Sequence, residues 1–133
     1  MQLTRRYHFC ASHRLDSSAL SPEENRRLYG KCNNPYGHGH DYVLSVTVEG
    51  PVSGDGQVVD RRALDALVRE QILARLDHKN LNVDVPELAH SVPTTENLAS
   101  AIRQALVSHW TLPVQLAQVR ISETDRNIFE LRA

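Results

Sequence analysis

From His38 the chain reads His-Gly-His-Asp-Tyr-Val-Leu-Ser-Val-Thr-Val-Glu, and this run constrains the fold more than any other segment. Tyr42, Leu44, Val46 and Val48 alternate with Ser45, Thr47 and Glu49. Strand side chains repeat every two residues, so the pattern predicts a strand with one buried face. The same period puts His38 and His40 on one face. Whatever the rest of the chain does, it must cover that face and accommodate two imidazoles at its end.

Other segments fill in the expected layers. Leu3, Tyr7, Phe9 and Ala11 alternate loosely and suggest a first strand over residues 2–13. Residues 14–37 form a long excursion rich in Ser, Pro, Asn and Gly, with one short polar stretch, Pro-Glu-Glu-Asn-Arg-Arg-Leu. Long excursions in compact domains tend to carry function or to be disordered, and this one ends beside Cys32. After a turn at Gly50–Gly56, Gln57–Val59 is expected to pair back as a short antiparallel strand. Asp60 then caps a helix whose stripe is Leu64, Leu67, Val68, Ile72 and Leu76. A second helix starts near Pro93–Glu96, with inner stripe Leu98, Ile102, Ala105, Leu106 and His109, and Pro113 bars its continuation. Val119 and Ile121 alternate with Gln118 and Arg120, and a final strand follows over Asn127–Arg132. The order predicts one α+β domain over residues 1–133: an antiparallel sheet of four to five strands with two helices on one face. So small a sheet leaves open edges and a second face to cover.

His13, in Phe-Cys-Ala-Ser-His-Arg-Leu, joins His38 and His40 to give three imidazoles. Three protein ligands leave a fourth tetrahedral position open, the arrangement of a catalytic rather than a structural zinc site. Nickel, iron or copper would accept the same donors. Cys32 stands six residues before His38, where it could close the shell as a fourth ligand or act as a base. Either role requires its loop to fold back. Glu123 shares a register with Val119 and Ile121, and an inward carboxylate is costly unless it is paired or used.

These segments, with Leu-Asp-His-Lys-Asn-Leu-Asn at 76–82, Pro-Thr-Thr-Glu-Asn at 93–97 and Ile-Ser-Glu-Thr-Asp at 121–125, resemble the 6-pyruvoyl-tetrahydropterin synthase family. The resemblance runs from about residue 7 to about residue 130, with the motifs in the family's order. It implies the tunnelling fold, in which three subunits join sheets into a barrel and two trimers stack into a homo-hexamer. It also implies Zn²⁺ on His13, His38 and His40, with Cys32 as general base. Asp77 and His78 would form a catalytic relay with that thiol, brought together from neighbouring subunits. Glu123 would hold the pterin's 2-amino group and ring N–H, with Thr94 and Thr95 as further substrate contacts. The implied reaction is conversion of 7,8-dihydroneopterin triphosphate to 6-pyruvoyl-tetrahydropterin with release of triphosphate. The sister activity, 6-carboxy-tetrahydropterin synthase of queuosine biosynthesis, uses the same substrate, metal site and thiol. The five residues between Cys32 and His38 are closer to the pyruvoyl branch. A non-catalytic zinc-binding relative would need none of Cys32, Asp77, His78 and Glu123.

A net charge of −1 supplies no field for nucleic acid or an anionic membrane, and two phenylalanines make no stacking platform. An anionic substrate needs a local basic cluster, for which Arg14, Arg26, Arg27, Lys31 and Lys79 are candidates. No apolar run approaches the ~20 residues that span a bilayer. The N-terminal segment turns straight into a strand pattern without a signal peptide's apolar stretch, so a cytoplasmic location is expected. In a reducing cytosol Cys10 and Cys32 are expected unpaired. No Gly-rich dinucleotide fingerprint is present, so neither nicotinamide nor flavin is expected.

Overall fold

The structure, a computed structural model, describes residues 1–132. Two long strands, β1 (Gln2–His13) and β2 (His38–Glu49), form the centre of a five-stranded sheet in the order β3-β1-β2-β4-β5. They are antiparallel in full register, with Phe9 opposite Tyr42, Ala11 opposite His40 and His13 opposite His38. Strands β4 (Gln115–Ser122) and β5 (Ile128–Arg132) continue the antiparallel pairing on the β2 side. Phe9, Ala11, Tyr42, Leu44, Val46, Val48, Val119 and Ile121 fill the inward face of the sheet.

The excursion is more ordered than its composition suggests. It folds into α1 (Pro22–Tyr29), capped by a box in which Ser21 and Glu24 exchange bonds, and continues as a tight turn over Gly30–Asn33. The box satisfies two N–H groups that a helix start leaves bare. Asn25 is buried and binds the carbonyls of Ser17 and Ser21 and the amide of Ser17, holding the loop to the helix.

Helix α2 (Arg61–Val68) starts where Asp60 accepts the Arg62 and Ala63 amides. It passes through one wider turn, Arg69–Leu73, into a last turn, α3 (Ala74–Leu76). Leu64, Val68, Ile72 and Leu76 are all buried at four-residue spacing. A regular helix turns a four-residue repeat away by about 40° per step. The slack turn absorbs that drift and keeps all four side chains on the sheet. Helix α4 (Thr95–Ser108) buries Leu98, Ala99, Ile102 and Leu106. His109, expected on its inner stripe, is exposed; there the helix has ended, and the ring caps the Ala105 carbonyl at 2.9 Å.

The sheet differs from the expected one at an edge. Gln57–Val59 forms no strand. The fifth strand is β3 (Lys79–Asn80), and it pairs parallel to β1 at Ala11 and Ser12, so the sheet is mostly rather than wholly antiparallel. The pairing is local to a chain crossing: α3 delivers the chain to the β1 edge, where the His78 amide donates to the Cys10 carbonyl at 2.6 Å. Among the described residues, no helix is long and apolar enough to cross a membrane.

Candidate metal and catalytic site

The inward face of the sheet ends in imidazoles. His13 closes β1 and is 1% exposed; His40 lies beside it, with ring centroids 4.9 Å apart. The Nδ1 of His13 is 2.9 Å from the Pro93 carbonyl. A carbonyl can only accept, so Nδ1 carries the proton and Nε2 presents a lone pair. That Nε2 is buried and has no partner among the described residues. A buried polar atom left bare is costly, and a metal ion is the group that this lone pair fits.

Cys32 is the third member. Its Sγ lies 3.7 Å from His40 Nε2, and the donor atoms of His13, Cys32 and His40 all fall within 4.8 Å of one another. The loop does fold back, and two bonds hold it there. Leu15 N–H donates to the Cys32 carbonyl at 2.7 Å, and Asn33 Nδ2 donates to the Leu15 carbonyl at 2.7 Å. The thiol segment is therefore fastened to the chain two residues past His13. His38 lies at the rim, exposed, its ring edge-on to His40 with centroids 4.8 Å apart. Gly37 makes the approach possible: at φ +76° it passes so close to His13 that a Cβ would sit 2.4 Å from the His13 carbonyl oxygen. Sequence reasoning passed over both Gly37 and Pro93. The textual signals are the glycine beside His38 for the first and the Pro-Thr-Thr-Glu-Asn motif for the second, and neither announces the contact with His13.

Glu123 points inward as its register requires. Its Oε1 lies 3.5 Å from His40 Nε2 and 4.0 Å from His13 Nε2, and the side chain is 13% exposed. Burial, more than any neighbour, lowers the pKa of both His13 and His40. Both therefore stay neutral at neutral pH, as metal ligands must. Burial and then the Glu123 charge push the Cys32 thiol up in the absence of a cation.

Thr94 caps α4 by accepting the Asn97 amide. Thr95 is buried, and its Oγ1 has no hydrogen-bond partner among the described residues. Asp77 and His78 stand elsewhere, at the β1–β3 edge. Asp77 Oδ1 accepts the Cys10 amide at 2.9 Å, and its Oδ2 lies 3.6 Å from His78 Nε2. His78 is exposed and takes a left-handed backbone, φ +60°, uncommon for a residue with a side chain. Among the described residues, no hydrogen bond or ion pair joins either residue to Cys32. The basic candidates are spread out: Arg14 faces Asp16, Arg27 pairs with Glu23, and Arg26, Lys31 and Lys79 are exposed.

Residues 2–133 match the family described as 6-pyruvoyl tetrahydropterin synthase. The 6-pyruvoyl tetrahydrobiopterin synthase of Homo sapiens is 50% identical over 129 residues, covering 96% of this chain and 88% of the human one. That of Poecilia reticulata is 48% identical over 132 residues, covering 98% of this chain and 88% of its own. The solved Caenorhabditis elegans 6-pyruvoyl tetrahydropterin synthase superposes with a TM-score of 0.92 at 39% identity, covering 100% of this chain and 95% of that one.

Proposed function

Since the chain belongs to the 6-pyruvoyl tetrahydropterin synthase family, an enzyme family, we propose that it removes triphosphate from 7,8-dihydroneopterin triphosphate to give 6-pyruvoyl-tetrahydropterin. The observation that carries this reading is the convergence of His13, Cys32 and His40 within 4.8 Å, around a buried imidazole nitrogen that nothing else satisfies. His13 and His40, with His38 beside them, would hold Zn²⁺. The ion would supply Lewis acidity toward the hydroxyls of the substrate side chain.

The other tasks belong to side chains of this protein. Cys32 takes and returns the side-chain proton, a role its position next to the imidazoles supports. Glu123 orients the pterin ring: a carboxylate can accept from both the 2-amino group and a ring N–H, and this one directly follows the last residue of β4, beside His40. Thr95 offers a hydroxyl that the protein leaves free, and Thr94 lies next to it at the helix start. The Asp77–His78 pair serves as acid–base relay, with Asp77 holding the His78 ring. The pair is fastened at the sheet edge and makes no bond to Cys32, which supports a site completed between subunits; the assembly would be a homo-hexamer, acting in the cytoplasm. The reaction is an internal redox exchange with an elimination, so it draws on no nicotinamide or flavin.

The test is direct. Zinc-loaded protein, incubated anaerobically with 7,8-dihydroneopterin triphosphate, should yield the pyruvoyl product and free triphosphate by mass spectrometry. A 6-carboxy product would move the chain to the sister activity, and unchanged substrate would defeat the reading. Cys32→Ala should stop turnover, whereas Cys10→Ala should not.

A further inference from the structure

The donor group that the fold brings within 4.8 Å is two imidazoles and a thiol, His13, His40 and Cys32, with His38 exposed at the rim beside His40. Cys32 Sγ stands 3.7 Å from His40 Nε2, and it shares the 4.8 Å cluster with His13 and His40. A tetrahedral zinc with Zn–S of about 2.3 Å and Zn–N of about 2.0–2.1 Å has an S···N edge of about 3.5 Å. The observed separation is close to that edge, so one ion could take both atoms with little movement. Cys32 does not arrive there on a free loop. Its carbonyl is bound by Leu15 N–H, and the neighbouring Asn33 is 8% exposed and binds the Leu15 carbonyl and Asp16.

We propose that Cys32 is the displaceable fourth metal ligand: with no substrate present its thiolate closes the shell of His13, His38 and His40, and it gives that position up when substrate enters. On coordination the thiol proton passes to solvent, and no electron is transferred. The same residue thus serves two states. It protects the metal from other ligands at rest, and it becomes a free thiolate beside the substrate once displaced. The proposal rests on the metal and thiol assignments above, and it adds when the thiol is bound.

Glu123 is the rival donor, at 3.5 Å and 4.0 Å from the same two imidazole nitrogens. Its carboxylate is a harder ligand than a thiolate, and the two differ in a way that spectroscopy resolves. Replace zinc by Co²⁺ in the full-length protein and record the absorption spectrum without substrate. A thiolate ligand gives an intense near-ultraviolet sulfur-to-cobalt charge-transfer band, which no imidazole or carboxylate provides. The band should be present in wild type, Cys10→Ser and Glu123→Gln, and absent in Cys32→Ser. Adding 7,8-dihydroneopterin, which keeps the substrate's 1′,2′-diol and lacks the phosphates, should remove it from wild type. Chelator competition should show metal affinity in Cys32→Ser lowered at least about 10-fold, the smallest loss expected even for an outer-shell partner.

A cobalt-loaded wild type without the band overturns the proposal, as does a band that survives in Cys32→Ser or persists with the diol bound. Protein that takes up no cobalt overturns it together with the metal site. Failure of the enzymatic reading looks different: product would be missing in the zinc-loaded assay while the band and its response to the diol remained.

Discussion

Gly37→Ala separates two costs that glycine replacements usually mix. Gly30, Gly37 and Gly56 all have positive φ, at 55°, 76° and 82°. A Cβ at Gly30 or Gly56 would meet nothing within 4 Å, whereas at Gly37 it would lie 2.4 Å from the His13 oxygen and 2.8 Å from the His13 carbonyl carbon. Alanine at Gly30 or Gly56 therefore carries only the cost of a positive-φ backbone, about 1–3 kcal/mol. Alanine at Gly37 carries that plus a clash between two backbones that must part by about 1 Å to restore ordinary contact. His13 cannot retreat cheaply, since its ring is buried and its Nδ1 is bonded to Pro93. A total of about 3 kcal/mol or more follows, in the range of the larger single-residue losses. Since the next residue is His38, the strain should also reach the metal site. Urea unfolding should rank Gly37→Ala well below Gly30→Ala and Gly56→Ala. Chelator competition should show weaker metal binding in the first alone. Equal stability across the three variants would mean that the close approach of Gly37 to His13 does not exist in solution.

The remaining expectations use other readouts. Metal-free protein should lose stability as the pH falls from about 6.5, because buried His13 and His40 have lowered values and refuse protons that the unfolded chain accepts. The slope is at most about 1.4 kcal/mol per pH unit for each histidine, it vanishes above the ordinary histidine range, and a flat urea midpoint between about pH 7 and about pH 5.5 would refute it. Glu123→Gln should weaken pterin binding by about 1–3 kcal/mol in a calorimetric titration with metal content unchanged, and unaltered affinity would place the carboxylate away from the ring. Inactive Cys32→Ala and inactive His78→Ala chains, unfolded and refolded together, should recover part of the activity. A fully active monomer by light scattering would defeat that expectation, and a confirmed hexamer without recovery would put the relay within one chain.

Where the sequence was readable, a local rule and the tertiary fold agreed. Alternation in β1 and β2, the Asp60 cap and the inward position of Glu123 all follow from period and cap chemistry, and all are present. The capping box of α1 is equally legible in Ser-Pro-Glu-Glu, yet the segment reads only as a polar stretch, since its face buries no apolar stripe. Gln57–Val59 failed for the opposite reason. Turn residues before it suggest a hairpin, but pairing back on β2 needs a free edge, and β1 and β4 occupy both edges of that strand. Nothing in two polar residues announces a strand; the position where α3 ends decides it. The approach of Cys32 to His40 likewise depends on bonds between Leu15 and the Cys32–Asn33 turn, across seventeen and eighteen residues of chain.

The same alternation explains why one chain holds the imidazole cluster and the Asp77–His78 pair apart. Along β1, Phe9, Ala11 and His13 are buried on the inward face, so Cys10 points outward, where it donates to Asp41. Cys10 also supplies the backbone groups that fasten Asp77 and His78 at the strand edge. His13 and the relay are thus tied to one strand three residues apart, with the imidazole turned into the core and the relay on the rim. Rotating side chains cannot join them, because a strand fixes which residues face which way. Shifting β1 by one residue to bring the relay inward would turn His13 out and expose Phe9 and Ala11. An exposed His78 held in a left-handed backbone, with no bond to Cys32 of its own chain, is the arrangement that the proposed site between subunits would require.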